Sequence, residues 1–222
     1  SYSSNPLSGI VKGLEARGAG VELRIYGCDP DVAEAQARAG GWTVLAGAID
    51  MPGYGDSEMG PGEGDGRTEF ARAALAVLDA LEVERAHVCG LSLGGVIALA
   101  LHALAPERVA SLVLADTFAR HPEGAAILER SLAGAASLGM AGLADTRADA
   151  LLAQPADPGV RRAVVETMSR IDPAAYARAA EAVWLADQRR EAAAVSCPTL
   201  IVYGSEDRIT PPELSEDLKL LI

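Results

Sequence analysis

The sequence predicts an α/β fold in which a mostly parallel β-sheet is flanked by helices. The first observation behind this prediction is that short apolar runs rich in β-branched residues alternate with segments of helical periodicity. The second is that the 222 residues, 50% of them hydrophobic, suffice for one domain that buries about 70% of the surface of its unfolded chain. Together they indicate a single α/β domain, with room for an inserted subdomain.

The elements of the predicted sheet follow one another in the N-terminal half. WTVLAGAID (42–50) is predicted to be a buried strand, followed by a glycine-rich loop and a helix that opens near Thr68. That helix has one apolar face, formed by Phe70, Ala73, Ala74, Val77, Leu78 and Leu81. HVCG (87–90) is the next strand, and the apolar run 93–104 predicts a helix that is buried on almost every side. SLVLAD (111–116) is a further strand.

The strand rhythm stops after this point and Ala-rich helical segments occupy residues 118–191. Asp172 is predicted to cap the last of these helices, and TLIVYG (199–204) then resumes the sheet. A helical block inserted between parallel strands usually lies over their carboxyl ends, where ligands bind. The predicted organisation is therefore a core of residues 1–117 and 192–222 with a helical lid of residues 118–191.

Composition and charge exclude several classes of function. No apolar stretch is long enough for a membrane span, and the first residues lack the features of a signal peptide. The net charge of −12 argues against a nucleic-acid partner, because phosphate binding needs clustered Lys and Arg. These features are typical of an acidic cytoplasmic protein.

The three cysteines and three histidines indicate neither disulfides nor a metal site. Cys28, Cys89 and Cys197 are odd in number and widely spaced, which predicts buried free thiols in a reducing compartment. The histidines show no metal-ligand spacing: they are His87, His102 and His121. We therefore expect no metal and no cofactor.

HVCGLSLGG (87–95) contains the pattern G-x-S-x-G with Ser92 at its centre. A strand before it and a helix after it are the context in which this pattern forms a sharp turn that exposes a nucleophilic serine. We expect side chains to be excluded at Gly90 and Gly94, and the Leu93 N–H to point to where a carbonyl oxygen becomes negative. The alternative is a purely structural turn.

Two further segments agree with a site beside Ser92. DMPGYGDS (50–57) lies between a strand and a helix, where such a sheet presents a loop next to the nucleophile. GSEDRITPP (204–212) follows the last strand, and its Asp207 is placed to orient a histidine and to stabilise the charged form of that histidine. Taken alone, Asp207 is equally explained as a turn-forming residue.

The combination of DMPGYGDS, HVCGLSLGG, APERVASLVLADT and CPTLIVYGSEDRITPP resembles the α/β-hydrolase family over most of the chain from Trp42 onward. The segment 172–189 in addition resembles the cap helix of the 3-oxoadipate enol-lactonase-like branch, which hydrolyses small esters and lactones. This resemblance implies a serine hydrolase without a cofactor. It implies that Ser92 is the nucleophile, Asp207 the acid and the Leu93 backbone one half of the oxyanion hole.

The sequence departs from the family pattern at its histidine. The family's catalytic histidine lies in a loop beyond one more strand, whereas the sequence continues for only about fifteen residues after Asp207. His87 lies in the strand before Ser92 and His102 lies on the buried helix, so both are expected to be core residues. His121, at the start of the lid, is the one remaining histidine that could approach the pocket.

The sequence also departs from the pattern at the second oxyanion donor. The family carries a His-Gly loop whose backbone supplies this donor, and the nearest equivalent here is Tyr26-Gly27-Cys28, with the Cys28 N–H in that role. The same stretch is equally well interpreted as the preceding hairpin strand, in which case the His-Gly strand is absent. Both departures lead to the expectation that the chain is an incomplete or altered form of a complete hydrolase.

Trp184 and Tyr176, in the last lid helix, are candidate substrate-binding residues, with core packing as the equal alternative. The leading hypothesis is hydrolysis of a small carboxylic ester or lactone through an acyl-enzyme. One alternative is a non-catalytic member that binds small molecules or partners; another is a haloperoxidase-like or C–C bond hydrolase on the same fold. Association into a homo-oligomer is left open.

Overall fold

The structure is a computed structural model that describes residues 51–55, 57–59, 65–152 and 154–222. The predicted strand 42–50 and the candidate oxyanion donor Cys28 lie outside the described residues.

The described sheet has three parallel strands in the order β1, β2, β3. Their bounds are Ala86–Leu91 for β1, Val109–Ala115 for β2 and Thr199–Val202 for β3. Gly90 of β1 is in register with Leu114 of β2, which is in register with Ile201 of β3. Each observed strand overlaps a predicted one, and the parallel arrangement is as predicted. The carboxyl ends of the three strands therefore lie at one edge of the sheet.

Helices connect these strands. In chain order they are α1 (Gly66–Ala80), α2 (Leu93–Leu104), α3 (Gly124–Ala148), α4 (Pro158–Ser169), α5 (Pro173–Trp184), α6 (Arg189–Ala193) and α7 (Pro212–Leu221). Helix α1 begins at an aspartate cap, since the side chain of Asp65 accepts a hydrogen bond from the Thr68 N–H at 2.8 Å. The predicted cap of α5 is confirmed, because Asp172 accepts a hydrogen bond from the Ala174 N–H at 2.8 Å.

The main core forms around α2, which is buried along most of its length as its apolar sequence predicts. Leu99 and Val96 are fully buried on this helix. Leu99 belongs to a core that also contains Phe70 of α1 and Leu112 and Leu114 of β2. Burial of these side chains fixes α2 against the sheet, which positions its N-terminus at the end of β1.

The predicted helical block is present as α3 to α6, between β2 and β3. Helix α3 is interrupted at Gly139, whose φ of 66° and ψ of 174° are non-helical. Arg161 of α4 joins α4 to α3 through ion pairs with Asp145 and Asp149 at 3.0 and 2.8 Å. Helix α5 packs against α1 and α2, and α6 packs against α2 and α7, so the block is attached to the rest of the described fold through both helices.

A second apolar cluster joins the helical block to α2 and α7. Its centre is Phe118, which stacks on Trp184 with ring centroids 6.0 Å apart. Val96 of α2 and Leu214 of α7 complete the contact between these elements. This cluster places the end of α5 close to the loop that precedes α7.

Two expectations about surface and thiols can be compared with the described residues. Within these residues, no helix combines the length and the apolar character that crossing a membrane requires. Cys89 and Cys197 are free thiols as expected, but Cys89 is exposed, so the prediction that it is buried was wrong. The reason is that Cys89 lies in β1 at a position that the described helices leave uncovered.

The buried His102 predicts a loss of stability in acid. Its side chain is 2% exposed, neither ring nitrogen has a hydrogen-bond partner among the described residues, and burial lowers its pKa below the ordinary 6.5. As the pH falls through about 6.5, the unfolded imidazole takes up a proton that the folded one resists, so the free energy of unfolding decreases. We expect His102→Leu and His102→Gln to flatten this dependence, measured as urea unfolding at pH 7.5 and 5.5.

A matched variant at His87 serves as the control for the effect of His102. His87 is hydrogen-bonded through Nδ1 to the Ser111 hydroxyl at 2.7 Å, and His87→Gln serves as the control that should retain the acid dependence. If both His102 variants lost as much stability between the two pH values as the unchanged chain, the assignment to His102 would be wrong.

Candidate active site

The turn between β1 and α2 holds Ser92 in an unusual backbone conformation. Its φ of 52° and ψ of −116° lie in a region that side-chain-bearing residues rarely adopt, and such strain costs about 1–3 kcal/mol. Hydrogen bonds on both backbone groups of Ser92 hold the turn. The Ser92 N–H donates to the Ala115 carbonyl at 2.9 Å, and the Ser92 carbonyl accepts from the Thr117 hydroxyl and the Gly95 N–H, each at 2.9 Å. Ser92 is half-buried.

The glycines around Ser92 have different reasons for being there. A Cβ on Gly90 would lie 2.2 Å from the carbonyl oxygen of Gly94, so the predicted exclusion at Gly90 is confirmed. At Gly94 the prediction was wrong, since no atom of the described residues lies within 4 Å of a Cβ there. The crowded position is instead Gly95, where a Cβ would meet the Thr117 side chain at 2.4 Å. Gly94 and Gly95 are consecutive residues of α2 and therefore lie on different sides of the helix, and only the side of Gly95 faces Thr117.

The N-terminus of α2 leaves polar groups available beside Ser92. The Ser92 side chain makes no capping hydrogen bond, so its hydroxyl is not occupied by the helix that follows. The Leu93 N–H belongs to the first turn, which has no intrahelical acceptor, and it donates to no group among the described residues. The positive end of the helix dipole adds to this donor. These features suit the stabilisation of a negative oxygen next to the Ser92 hydroxyl.

Asp207 follows β3 in a loop that holds its carboxylate firmly. One carboxylate oxygen accepts from the N–H groups of Ile209 and Thr210 at 2.7 and 3.0 Å, and the other accepts from the Thr210 hydroxyl at 2.6 Å. The side chain is half-buried. Because Ser92 follows β1 and Asp207 follows β3 in a parallel sheet, both lie at the carboxyl edge, on either side of β2.

Asp116 and Thr117, at the end of β2, are two positioning residues that the sequence reasoning missed. Asp116 has a φ of 43°, accepts a hydrogen bond from the Gly204 N–H at 2.9 Å and donates its N–H to Val202 at 2.9 Å. Thr117 is fully buried and bonds to the Ser92 carbonyl. The available signal was a pair of polar residues directly after a buried strand, where parallel sheets place their functional loops.

None of the three histidines of the sequence, all within the described residues, bonds to Ser92 or Asp207. His102 is enclosed in the core, as expected. His87 bonds to Ser111 in β2 but is only half-buried, so the expectation of a core position was wrong for His87. His121 lies edge-on to Trp184 with ring centroids 5.5 Å apart.

His121 is the histidine that contacts the loop carrying the acid. Burial lowers the pKa of its imidazole, and a hydrogen bond with the backbone of Ile209, two residues after Asp207, opposes this effect. Its Nδ1 also accepts a hydrogen bond from the Glu123 N–H at 3.1 Å. The ring is thus engaged with two backbone segments rather than directed at Ser92.

The two candidate substrate-binding residues of α5 are both largely buried, with Trp184 7% and Tyr176 8% exposed. Trp184 lines a cavity of about 510 Å³. Tyr176 accepts a hydrogen bond from Arg147 at 2.7 Å and lies near Tyr54, and burial together with this neighbour raises the pKa of Tyr54 to about 12. Substrate binding by Trp184 and Tyr176 stays a prediction.

Across the described ranges, no three His, Cys, Asp or Glu side chains come together in a way that could bind a metal ion. The groups that the carboxyl edge presents include the Ser92 hydroxyl, the Leu93 N–H and the Asp207 carboxylate.

The chain is similar to known proteins of one family. The model of the family described as alpha/beta hydrolase fold matches residues 25–156. A dihydrolipoyllysine-residue acetyltransferase component of an acetoin cleaving system from Pseudomonas putida is 34% identical over 172 residues, which are 74% of this chain and 45% of that protein. A pimeloyl-[acyl-carrier protein] methyl ester esterase from Neisseria meningitidis is 32% identical over 186 residues, which are 80% of this chain and 70% of that protein.

A solved structure shows the same fold. The enol-lactonase from Burkholderia xenovorans is 30% identical, with a TM-score of 0.67, over 78% of this chain and 67% of that one. The predicted parallel sheet flanked by helices is thereby confirmed. The chain spans less than half the length of the acetyltransferase component and about two thirds that of the lactonase.

The two glycines that flank Ser92 predict opposite responses to alanine. Gly90→Ala places a methyl group against the Gly94 carbonyl, so we expect a loss of at least about 2 kcal/mol in the free energy of unfolding. Gly94→Ala meets open space in a helical turn, so its stability should stay within about 1 kcal/mol of the original. Urea unfolding measures both. Equal losses in the two variants would contradict the geometry of this turn.

Proposed function

The chain belongs to the alpha/beta hydrolase fold family, and on this premise we propose that it hydrolyses a small carboxylic ester or lactone through an acyl-enzyme formed on Ser92. The observation that carries the proposal is the β1–α2 turn, which combines a strained Ser92 backbone, a hydroxyl not used for capping and a helix N-terminus beside it. A turn with a purely structural role does not require the combination of these three features. A nucleophile needs all three.

In the proposed mechanism the Ser92 hydroxyl oxygen attacks the substrate carbonyl carbon, and a histidine base removes the hydroxyl proton. The Leu93 N–H donates a hydrogen bond to the resulting oxyanion. The base then protonates the leaving alcohol, and water, activated by the same base, releases the carboxylic acid and restores Ser92. The Cys28 N–H stays the candidate for the second oxyanion donor, outside the described residues.

Asp207 is proposed to orient the base and to stabilise its positive charge. The support is geometric: the Asp207 loop lies at the same sheet edge as Ser92, and three hydrogen bonds from Ile209 and Thr210 keep its carboxylate in one place. No described histidine contacts this carboxylate, so the proposal does not assign the base to a residue.

Residues 118–191 are proposed to act as a lid over the carboxyl edge of the sheet. In support of this proposal, the helices α3 to α6 are inserted in the chain between β2 and β3. Their apolar cluster with Val96 reaches the second turn of α2, one turn beyond Ser92. Trp184, at the end of α5, is the lid residue proposed to contact substrate; Tyr176 is the second candidate.

The substrate class is proposed from the relatives. Two of them carry names of ester-cleaving or lactone-cleaving enzymes, a methyl ester esterase and an enol-lactonase, at 32% and 30% identity. Both names describe attack on a carboxylic ester bond, which the hydroxyl and oxyanion donor at the Ser92 turn would perform. A small ester or a lactone is therefore the substrate class that we propose for this chain.

The positions of the histidines favour a second candidate function, binding without catalysis. His87 bonds to Ser111, His102 is enclosed in the core and His121 is held by backbone groups of Glu123 and Ile209. Without a base, the Ser92 hydroxyl would not be activated and the site would bind carbonyl compounds without turning them over. Covalent labelling of Ser92 by a fluorophosphonate separates catalysis from binding without catalysis.

A fluorophosphonate probe tests the nucleophile directly. We expect a covalent adduct on Ser92, because the probe reacts with a serine hydroxyl that a base activates. Mass spectrometry of the digested protein measures the position of the adduct, and Ser92→Ala is the variant that should abolish it. The buried Ser215 serves as an internal control that should not react. Labelling at another serine, or no labelling, would count against catalysis through Ser92.

Replacing the carboxylate tests the role of Asp207. Asp207→Asn keeps an oxygen acceptor for the loop but removes the negative charge, so we expect kcat for a p-nitrophenyl ester to fall by about 10⁴-fold. Thr210→Val is the matched control, since it removes a hydrogen bond to Asp207 while leaving the carboxylate, and it should retain most of the activity. A rate unchanged in Asp207→Asn would remove this residue from the mechanism.

A further inference from the structure

A cavity of about 510 Å³ lies between the start of α3, the end of α5 and the loop before α7. Part of its lining is apolar and consists of Ile127, Trp184, Ile209 and Leu214. Neither Ser92 nor Asp207 lines this space, although Ile209 belongs to the loop that holds the Asp207 carboxylate. Its volume is in the range of protein sites for small molecules.

The lining also carries charge, with an excess of arginine. Arg130, Arg147 and Arg208 line the cavity together with Glu123 and Glu213. Among the described residues none of the three arginines forms an ion pair, and Arg147 donates instead to the Tyr176 hydroxyl.

Arginines elsewhere in the described part of the chain are commonly paired. Arg161, Arg178 and Arg189 each contact a carboxylate. The chain as a whole carries a net charge of −12, so carboxylates are abundant. Other described arginines, Arg162 among them, also form no ion pair, so what sets Arg130 and Arg208 apart is that both border a cavity with an apolar lining.

We propose that this cavity binds a small carboxylate that has an apolar body. The carboxylate would bind to the guanidinium groups of Arg130 and Arg208, which are exposed and present planar, paired donors to such an anion. The apolar body would lie on Trp184, whose ring borders the same space. A purely inorganic anion would make no contact with the apolar lining residues, and a neutral molecule would leave the arginines without a partner.

This inference does not depend on the proposed function, because the cavity is not lined by Ser92 and binding needs no turnover. His121 also lines the cavity, and burial lowers the pKa of its imidazole, which disfavours a further positive charge there. The two glutamates reduce the positive charge but do not cancel it. The ligand chemistry that fits is thus a single negative group joined to a hydrocarbon.

The test measures binding of hexanoate to the 222-residue chain by isothermal titration calorimetry at pH 7.5. Hexanamide has a matched body without the charge, and inorganic phosphate has charge without the body. We expect hexanoate to bind about tenfold or more tightly than either compound, because only hexanoate makes both kinds of contact.

Variants assign the binding to the cavity. Arg130→Gln and Arg208→Gln should each weaken hexanoate binding, and the double variant by about tenfold or more. Arg162→Gln, an exposed arginine of α4 outside the cavity lining, is the matched control and should bind as before. Thermal unfolding checks that each variant is folded. No binding of hexanoate, equal binding of hexanamide or phosphate, or an unchanged double variant would overturn the proposal.

Discussion

The strained backbone of Ser92 is the constraint on which the rest of the carboxyl edge depends. A strand that turns directly into a helix brings the backbone at Gly90 and Gly94 into contact, and only glycine at position 90 permits this approach. The strain is sustained because the Ser92 N–H and carbonyl are both hydrogen-bonded, to Ala115 and Thr117. Relaxing the turn would break these bonds and also expose part of the apolar core under α2.

The end of β2 connects this turn to the acid loop. The Thr117 hydroxyl donates a hydrogen bond to the Ser92 carbonyl, and the Thr117 carbonyl accepts one from the hydroxyl of Ser215 in α7. Asp116 bonds to Gly204, three residues before Asp207. The serine turn and the Asp207 loop are therefore each attached to the same short segment. This arrangement explains how two residues separated by 115 positions along the chain keep a fixed relationship.

The helical block contributes charge and an aromatic surface rather than core alone. Trp184 packs on Phe118 and also borders the arginine-lined cavity. Relatives that are 34% and 32% identical to this chain carry different names, an acetyltransferase component and an esterase. Chemical differences on a common fold arise from the residues that its inserted segments present. In this chain, Arg130 and Arg147 are the arginines of the helical block that line the cavity.

The sequence by itself determined the features that depend on near neighbours: the parallel α/β fold, the serine turn with Gly90, the aspartate cap at Asp172 and the family. These follow from periodicity and from backbone geometry over a few residues. Only the tertiary structure decided that Gly95 is crowded while Gly94 has no neighbour among the described residues, and that Thr117 supports Ser92. Such contacts join residues that are distant along the chain, and a local pattern carries no record of which distant side chain packs against it.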